Sequence, residues 1–279
     1  MVEHDRVAMN EDGEWRQYSR QQWSTVVGDV RVLHGVESPQ LGNKRDLIVC
    51  LPHSYQRTDR HYPVLYLQDG QNLFDSATSY AGEWYVDETM QALAPEGIEA
   101  VVVGIPNAGE QRTAEYLPDQ RGQQYVDFLT STVKPIVDAS FRTRTGRTDT
   151  GLGGSSLGGV ISLYGLFARP EVFGFAAVMS PAFALAQESI MGIVAAAQTM
   201  PARIWLDVGD AEFEPRVSSA YVESVSRMHA LLRSKGYSDD ELRYVIDHGA
   251  RHEEAAWAHR FPQAIRFLLP PRRDWSIPA

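Results

Sequence analysis

The chain has 279 residues, of which 43% are hydrophobic, 10% aromatic and 22% charged, a composition that excludes collagen-like and wholly disordered proteins. Its 26 Lys and Arg against 36 Asp and Glu leave a formal net charge of −10, which repels phosphate backbones and anionic lipid, so neither nucleic acid nor a membrane is an expected partner. Cys50 is the single cysteine, which rules out an intrachain disulfide and a cysteine-based zinc site and fits a cytoplasmic location.

Residues 1–28 read as a polar N-terminal extension without the apolar stretch of a secretory signal. Residues 100–104, among the longest apolar runs, fall far short of the roughly 20 residues a membrane helix needs. No Pro/Gly/Ser linker or repeat divides the rest, so 29–279 is expected to be one domain. Strands are expected at 29–33, 46–51, 64–68, 100–105, 148–152, 175–179, 203–208 and 242–246. Apolar residues at Tyr125, Phe128, Leu129, Val133, Ile136 and Val137 follow a helical period over 125–137, and a second such stripe covers 221–232. Early strands joined by short turns, then alternating strand and helix, predict an α/β fold: a mostly parallel central sheet with an antiparallel edge and helices on both faces. Sites in such sheets form at the carboxyl ends of the strands.

At one such end, the strand at 148–152 runs into Gly153-Gly154-Ser155-Ser156-Leu157-Gly158-Gly159 and then an apolar helix over 160–167. This is GxSxG with Ser156 at the centre. A sharp strand-to-helix turn strains the nucleophile's backbone and leaves no space for side chains two residues away, which Gly154 and Gly158 provide. Ser156 then sits at a helix amino end, and the Leu157 N–H faces developing negative charge. A glycine-rich phosphate loop is the alternative, but no GxxxxGK[ST] pattern follows and the turn comes late in the chain.

A serine hydroxyl needs a base. Of the eight histidines, His248 and His252 lie just after the last expected strand, where the order Ser, acid, His puts the base. His252 is preferred because Gly249 lets the loop turn back over the sheet; His248 is second. Their spacing of four is a weak metal pattern, since a glycine interrupts it and position 256 is Ala256, so no metal is expected. In Gly209-Asp210-Ala211-Glu212, Asp210 and Glu212 are equally placed to hold the histidine.

Tyr62-Pro63-Val64-Leu65-Tyr66-Leu67-Gln68-Asp69-Gly70-Gln71-Asn72, the serine turn and Gly249-Ala250-Arg251-His252-Glu253 together resemble the Putative esterase family of α/β-hydrolases, which holds esterase D, feruloyl and acetylxylan esterases, enterobactin esterases and mycolyltransferases. The resemblance spans residues 29–269. It implies the α/β-hydrolase fold and a cofactor-independent serine esterase with a catalytic triad of Ser156, His252 and Glu212, the acid closing a Gly-x-x-Asp/Glu loop. It also implies Gln71 as the second oxyanion donor beside Leu157. Asp69-Gly70, where the family often has His-Gly, is similar to the enterobactin-esterase branch, as is the segment Arg112-Thr113-Ala114-Glu115-Tyr116-Leu117-Pro118.

Arg112, Trp84 and Tyr116 are the expected substrate-binding residues, with Phe183 and Trp257 as further aromatics near the site. Arg112 is expected to attract an anionic or phenolic group, while Arg142, Arg144 and Arg147 read as surface. The short stretch 180–201 leaves space for one helix and no large lid. A small-molecule or carbohydrate ester with a short or bulky polar acyl group is therefore the expected substrate. Acyl transfer by the same residues, a metal-dependent hydrolase and a non-catalytic binding protein are the alternatives.

Overall fold

The computed structural model describes residues 14–271. Their strands are β1 (Arg16–Gln17), β2 (Asp29–Ser38), β3 (Asn43–Leu51), β4 (Val64–Gln68), β5 (Val101–Ile105), β6 (Thr150–Ser155), β7 (Phe175–Met179), β8 (Arg203–Gly209) and β9 (Leu242–Asp247). All nine form one sheet in the order β1-β2-β3-β5-β4-β6-β7-β8-β9. Pairings from β1 to β3, and of β3 with β5, are antiparallel, and the rest are parallel. This is the α/β-hydrolase arrangement, with the antiparallel edge where the early short turns put it.

The helices are α1 (Val86–Leu93), α2 (Arg112–Tyr116), α3 (Gln120–Phe128), α4 (Lys134–Ser140), α5 (Leu157–Ala168), α6 (Phe183–Ala196), α7 (Pro215–Ser234) and α8 (Glu254–Leu268). They cover both faces, which is why the central strands are apolar at successive positions. In β4, Val64 and Tyr66 join one core with α5 and α7, while Leu65 and Leu67 join the other with α1 and α8. β8 divides likewise, Ile204, Leu206 and Val208 against Trp205. Each such buried side chain contributes about 1.5–3 kcal/mol, so the two-sided sheet is the rigid base of the site.

Several bounds differ from the sequence expectation. The helix expected over 125–137 is α3, a π turn over Leu129–Val133, then α4; Pro135 has no N–H to bond back to Ser131, and the ladder widens just before it. The N-terminal extension joins the domain from Arg16 on, as β1 beside β2. Farther along it, Ser24, Thr25 and Val27 hydrogen-bond the carboxylates of Asp75, Glu83 and Asp87. These contacts are polar, so no hydrophobic pattern announces them. Arg142 and Arg147, read as surface, staple loops: Arg142 donates to the Thr58 carbonyl and Arg147 to those of Pro170 and Pro201. Between β7 and β8 stands the single helix α6, and among the described residues no helix is long and apolar enough to cross a membrane.

Candidate active site

β6 ends and α5 begins around Ser156, whose backbone is held at φ 55°, ψ −124°. Such strain costs of order 1–3 kcal/mol and persists only where the surroundings fix it. Here its N–H donates to the Met179 carbonyl at 3.0 Å, and its carbonyl accepts from Ala182 at 3.0 Å. The flanking glycines are required by close approach: a Cβ on Gly154 would stand 2.9 Å from the Gly158 carbonyl carbon and 3.0 Å from the Gln68 side chain, and one on Gly158 would stand 3.1 Å from Gln68. Leu157 opens α5, so its N–H has no partner within the helix and points toward the turn.

β9 leads through Gly249, at φ 80°, to His252, and β8 leads to Glu212. The His252 Nδ1–H donates to Glu212 Oε2 at 2.5 Å, and its backbone N–H donates to the Glu212 carbonyl at 3.2 Å. The ring lies against Phe213 at 4.7 Å and edge-on to Trp257 at 5.0 Å and Tyr221 at 5.5 Å. With Nδ1 engaged, Nε2 is the free nitrogen. The alternatives left open by position separate into two pairs: Asp210 accepts from His248 at 2.7 Å on the exposed rim, whereas buried Glu212 holds half-buried His252. Ser156 and His252 line one cleft of about 1080 Å³.

Behind Glu212 lies a network the sequence did not reveal. Ser180 directly follows β7, with φ 37°; its hydroxyl donates to Glu212 Oε1 at 2.5 Å and accepts from buried Arg260 at 2.6 Å. Arg260 also meets Asp207 at 3.2 Å, and Asp207 accepts from the Trp205 indole at 2.6 Å. The Gly209 N–H donates to Glu212 Oε1 at 2.6 Å. Burial pushes Glu212 upward, but hydrogen bonds from His252, Ser180 and Gly209 outweigh it and hold the carboxyl below its usual range. At Asp207 burial wins over Arg260, and the pKa is raised. The Tyr221 hydroxyl, raised by burial and by Glu212, reaches both Ser156 and the Ser180 carbonyl. No local motif flags Ser180, Arg260 or Tyr221.

Gln71 lies in the 3-10 turn Gly70–Asn72 after β4. The turn rests directly on β5, for a Cβ on Gly70 would meet the Gly104 carbonyl carbon at 2.6 Å. Asn107 donates its N–H to the Gln71 side-chain oxygen at 3.2 Å and Thr78 donates to the Gln71 carbonyl at 2.9 Å, while the Gly70 carbonyl, in the same peptide as the Gln71 N–H, accepts from the Leu73 N–H at 3.4 Å. Trp84 and Arg112 line the cleft with Ser156, as do Trp257 and Glu254. Tyr116 does not. It is fully buried at the end of α2, where the inner face of that short helix turns onto the sheet. Its ring lies 5.1 Å beneath the Arg112 guanidinium and its hydroxyl accepts from the Asp69 N–H at 3.3 Å. Phe183 is likewise core. Arg112 donates Nε and Nη2 to the two oxygens of Asp69, at 2.7 and 2.8 Å. The fork expected to attract an anion is engaged within the protein.

By sequence the chain is 23% identical over 248 residues to the uncharacterized protein YbbA of Bacillus subtilis, covering 84% of this chain and 95% of that one. Its fold is similar to the BES protein from Bacillus cereus, with TM-score 0.68 and 18% identity over 91% of this chain and 98% of that one. It is also similar to the enterobactin esterase FES from Shigella flexneri, with TM-score 0.71 and 18% identity over 87% of this chain and 59% of the longer FES chain. A model of the family described as Putative esterase matches residues 38–268, and the chain belongs to that family of carboxylic ester hydrolases.

Proposed function

We propose that the protein is a serine carboxylesterase working through an acyl-enzyme, with Ser156, His252 and Glu212 as its triad. Ser156 Oγ attacks the ester carbonyl carbon as His252 Nε2 takes its proton; the carbonyl oxygen becomes an oxyanion received by the Leu157 and Gln71 amides. The C–O bond to the alcohol breaks, and His252 returns the proton to the leaving oxygen. Water repeats the sequence on the acyl-enzyme, releasing the acid and restoring Ser156. Glu212 keeps the Nδ1–H tautomer and stabilises the imidazolium. The reading rests above all on the 2.5 Å His252–Glu212 hydrogen bond beside the strained Ser156 turn. With only the helix α6 between β7 and β8, no large lid stands there, which favours short or bulky polar acyl groups of a small-molecule or carbohydrate ester over long chains.

Turnover of p-nitrophenyl acetate together with fluorophosphonate labelling tests it. Ser156→Ala should lose labelling and at least about 1,000-fold in kcat/KM, while a chelator leaves the wild type unchanged. Labelling that survives Ser156→Ala would place the nucleophile elsewhere.

A further inference from the structure

We propose that the ester taken by this cleft carries a positively charged group, of the ammonium type, seated against Glu254 beside the paired indoles of Trp84 and Trp257; this rests on the esterase reading above. The charged side chains lining the cleft are Asp69, Arg112, His252 and Glu254. Arg112 gives both arms of its fork to Asp69, and Asn107 adds a third donor to that carboxylate at 2.7 Å. The pair is internally neutral. His252 acts as a neutral base, so the lining keeps one net negative charge, and Glu254 is the carboxylate outside the Arg112–Asp69 pair.

Glu254 begins α8 and is 9% exposed. Among the described residues it has no ion pair, and its side chain accepts from the neutral Asn72 amide at a long 3.3 Å. Burial first, and Asp69 after it, raise its pKa against the smaller pull of His252 and Arg112, so its negative form is one that a further cation would stabilise. Trp257 lies one turn along α8, on the same helix face as Glu254. Trp84 reaches the same place from the loop before α1, where Gly82 leaves its missing Cβ 3.2 Å from the Glu254 Cβ. The two indoles stand 5.8 Å apart at 48°. A desolvated carboxylate beside aromatic rings attracts ammonium groups, by charge and by the ring quadrupole, and disfavours anions.

The experiment compares choline with its uncharged isostere 3,3-dimethylbutan-1-ol and the anion 3,3-dimethylbutyrate as inhibitors of p-nitrophenyl acetate turnover. Calorimetric affinities of the three for Ser156→Ala provide a second readout that needs no catalysis. Choline should bind at least tenfold more tightly than the alcohol, and the anion more weakly than either. Glu254→Gln should bring the choline-to-alcohol ratio to within about twofold of unity, and Glu254→Asp should retain a preference for choline. Equal binding of choline and alcohol, or a preference that survives Glu254→Gln, overturns the proposal. Absence of p-nitrophenyl acetate turnover counts against the esterase reading instead, and calorimetry still decides the charge preference.

Discussion

Ser180 shows how the reactivity of one residue depends on others distant in sequence. Its hydroxyl is the joint between Arg260 and Glu212, so it fixes the carboxylate that in turn fixes the His252 ring. Ser180→Ala removes one donor from a buried carboxylate, a loss of about 1.5–3 kcal/mol for a hydrogen bond to a charged group. If half of that is felt in the transition state, kcat falls about 4- to 12-fold with KM little changed, and the acid limb of the kcat–pH profile moves because Glu212 holds the imidazolium less well. Ser180→Thr, which keeps the hydroxyl, should recover most of the activity. A drop confined to melting temperature would make Ser180 merely structural. Ser156 and His252 were legible in sequence because each belongs to a local pattern, a GxSxG turn and a glycine-bearing loop after the last strand. Asp210 and Glu212 were not separable by position, since both sit in one turn; what separates them is that one meets His248 at the rim and the other meets His252 below it. Ser180, Asp207, Glu212 and Arg260 converge from four elements, a relation no window of sequence contains.

At the scale of elements, the serine turn is a packing solution before it is a chemical one. α5 enters so close to β4 that Gly154 and Gly158 face Gln68 at carbon–carbon contact. Gly154→Ala should cost about 1–3 kcal/mol by overpacking, measured by urea unfolding, and should lower kcat as Ser156 is displaced; an unchanged midpoint would mean that the turn yields without cost. The central strands were legible because burial on both faces forces apolar residues at successive positions. Helix bounds were less so: α7 begins at Pro215, six residues before its apolar stripe was read to start, because proline is favoured in a helix's first turn. Tyr116 shows the limit of reading a pocket from sequence, since an aromatic one turn from the cleft residue Arg112 is as readily its floor as its wall.

For the molecule as a whole, the fastening of the N-terminal segment sets a pH dependence. Thr25 and Val27 dock on Glu83 and Asp87, and among the described residues those two carboxylates and Glu88 bring oxygens within 4.8 Å of one another. Burial, with the neighbouring carboxylates adding to it, raises Glu83 to about 7 and Asp87 to about 8. A carboxylate raised on folding holds a proton the unfolded chain has released, so its stabilisation is complete below about pH 4 and is lost as pH rises through the folded value. Carboxylates held low, such as Asp29 and Glu212, act in the opposite sense but titrate below the usual carboxylate range, outside this window. His229, lowered by burial and by Arg233, also acts in the opposite sense, but equally in wild type and in variants of the two carboxylates. The melting temperature should therefore fall from about pH 5 to about pH 8 and level off above it, and Glu83→Gln or Asp87→Asn should flatten that fall while leaving the midpoint near pH 4 nearly unchanged, because there the unfolded chain also holds the proton and each substitution replaces a neutral acid by a neutral amide. Calorimetric scans of wild type and both variants across this range decide it: equal slopes in all three would remove the fastening carboxylates as the cause.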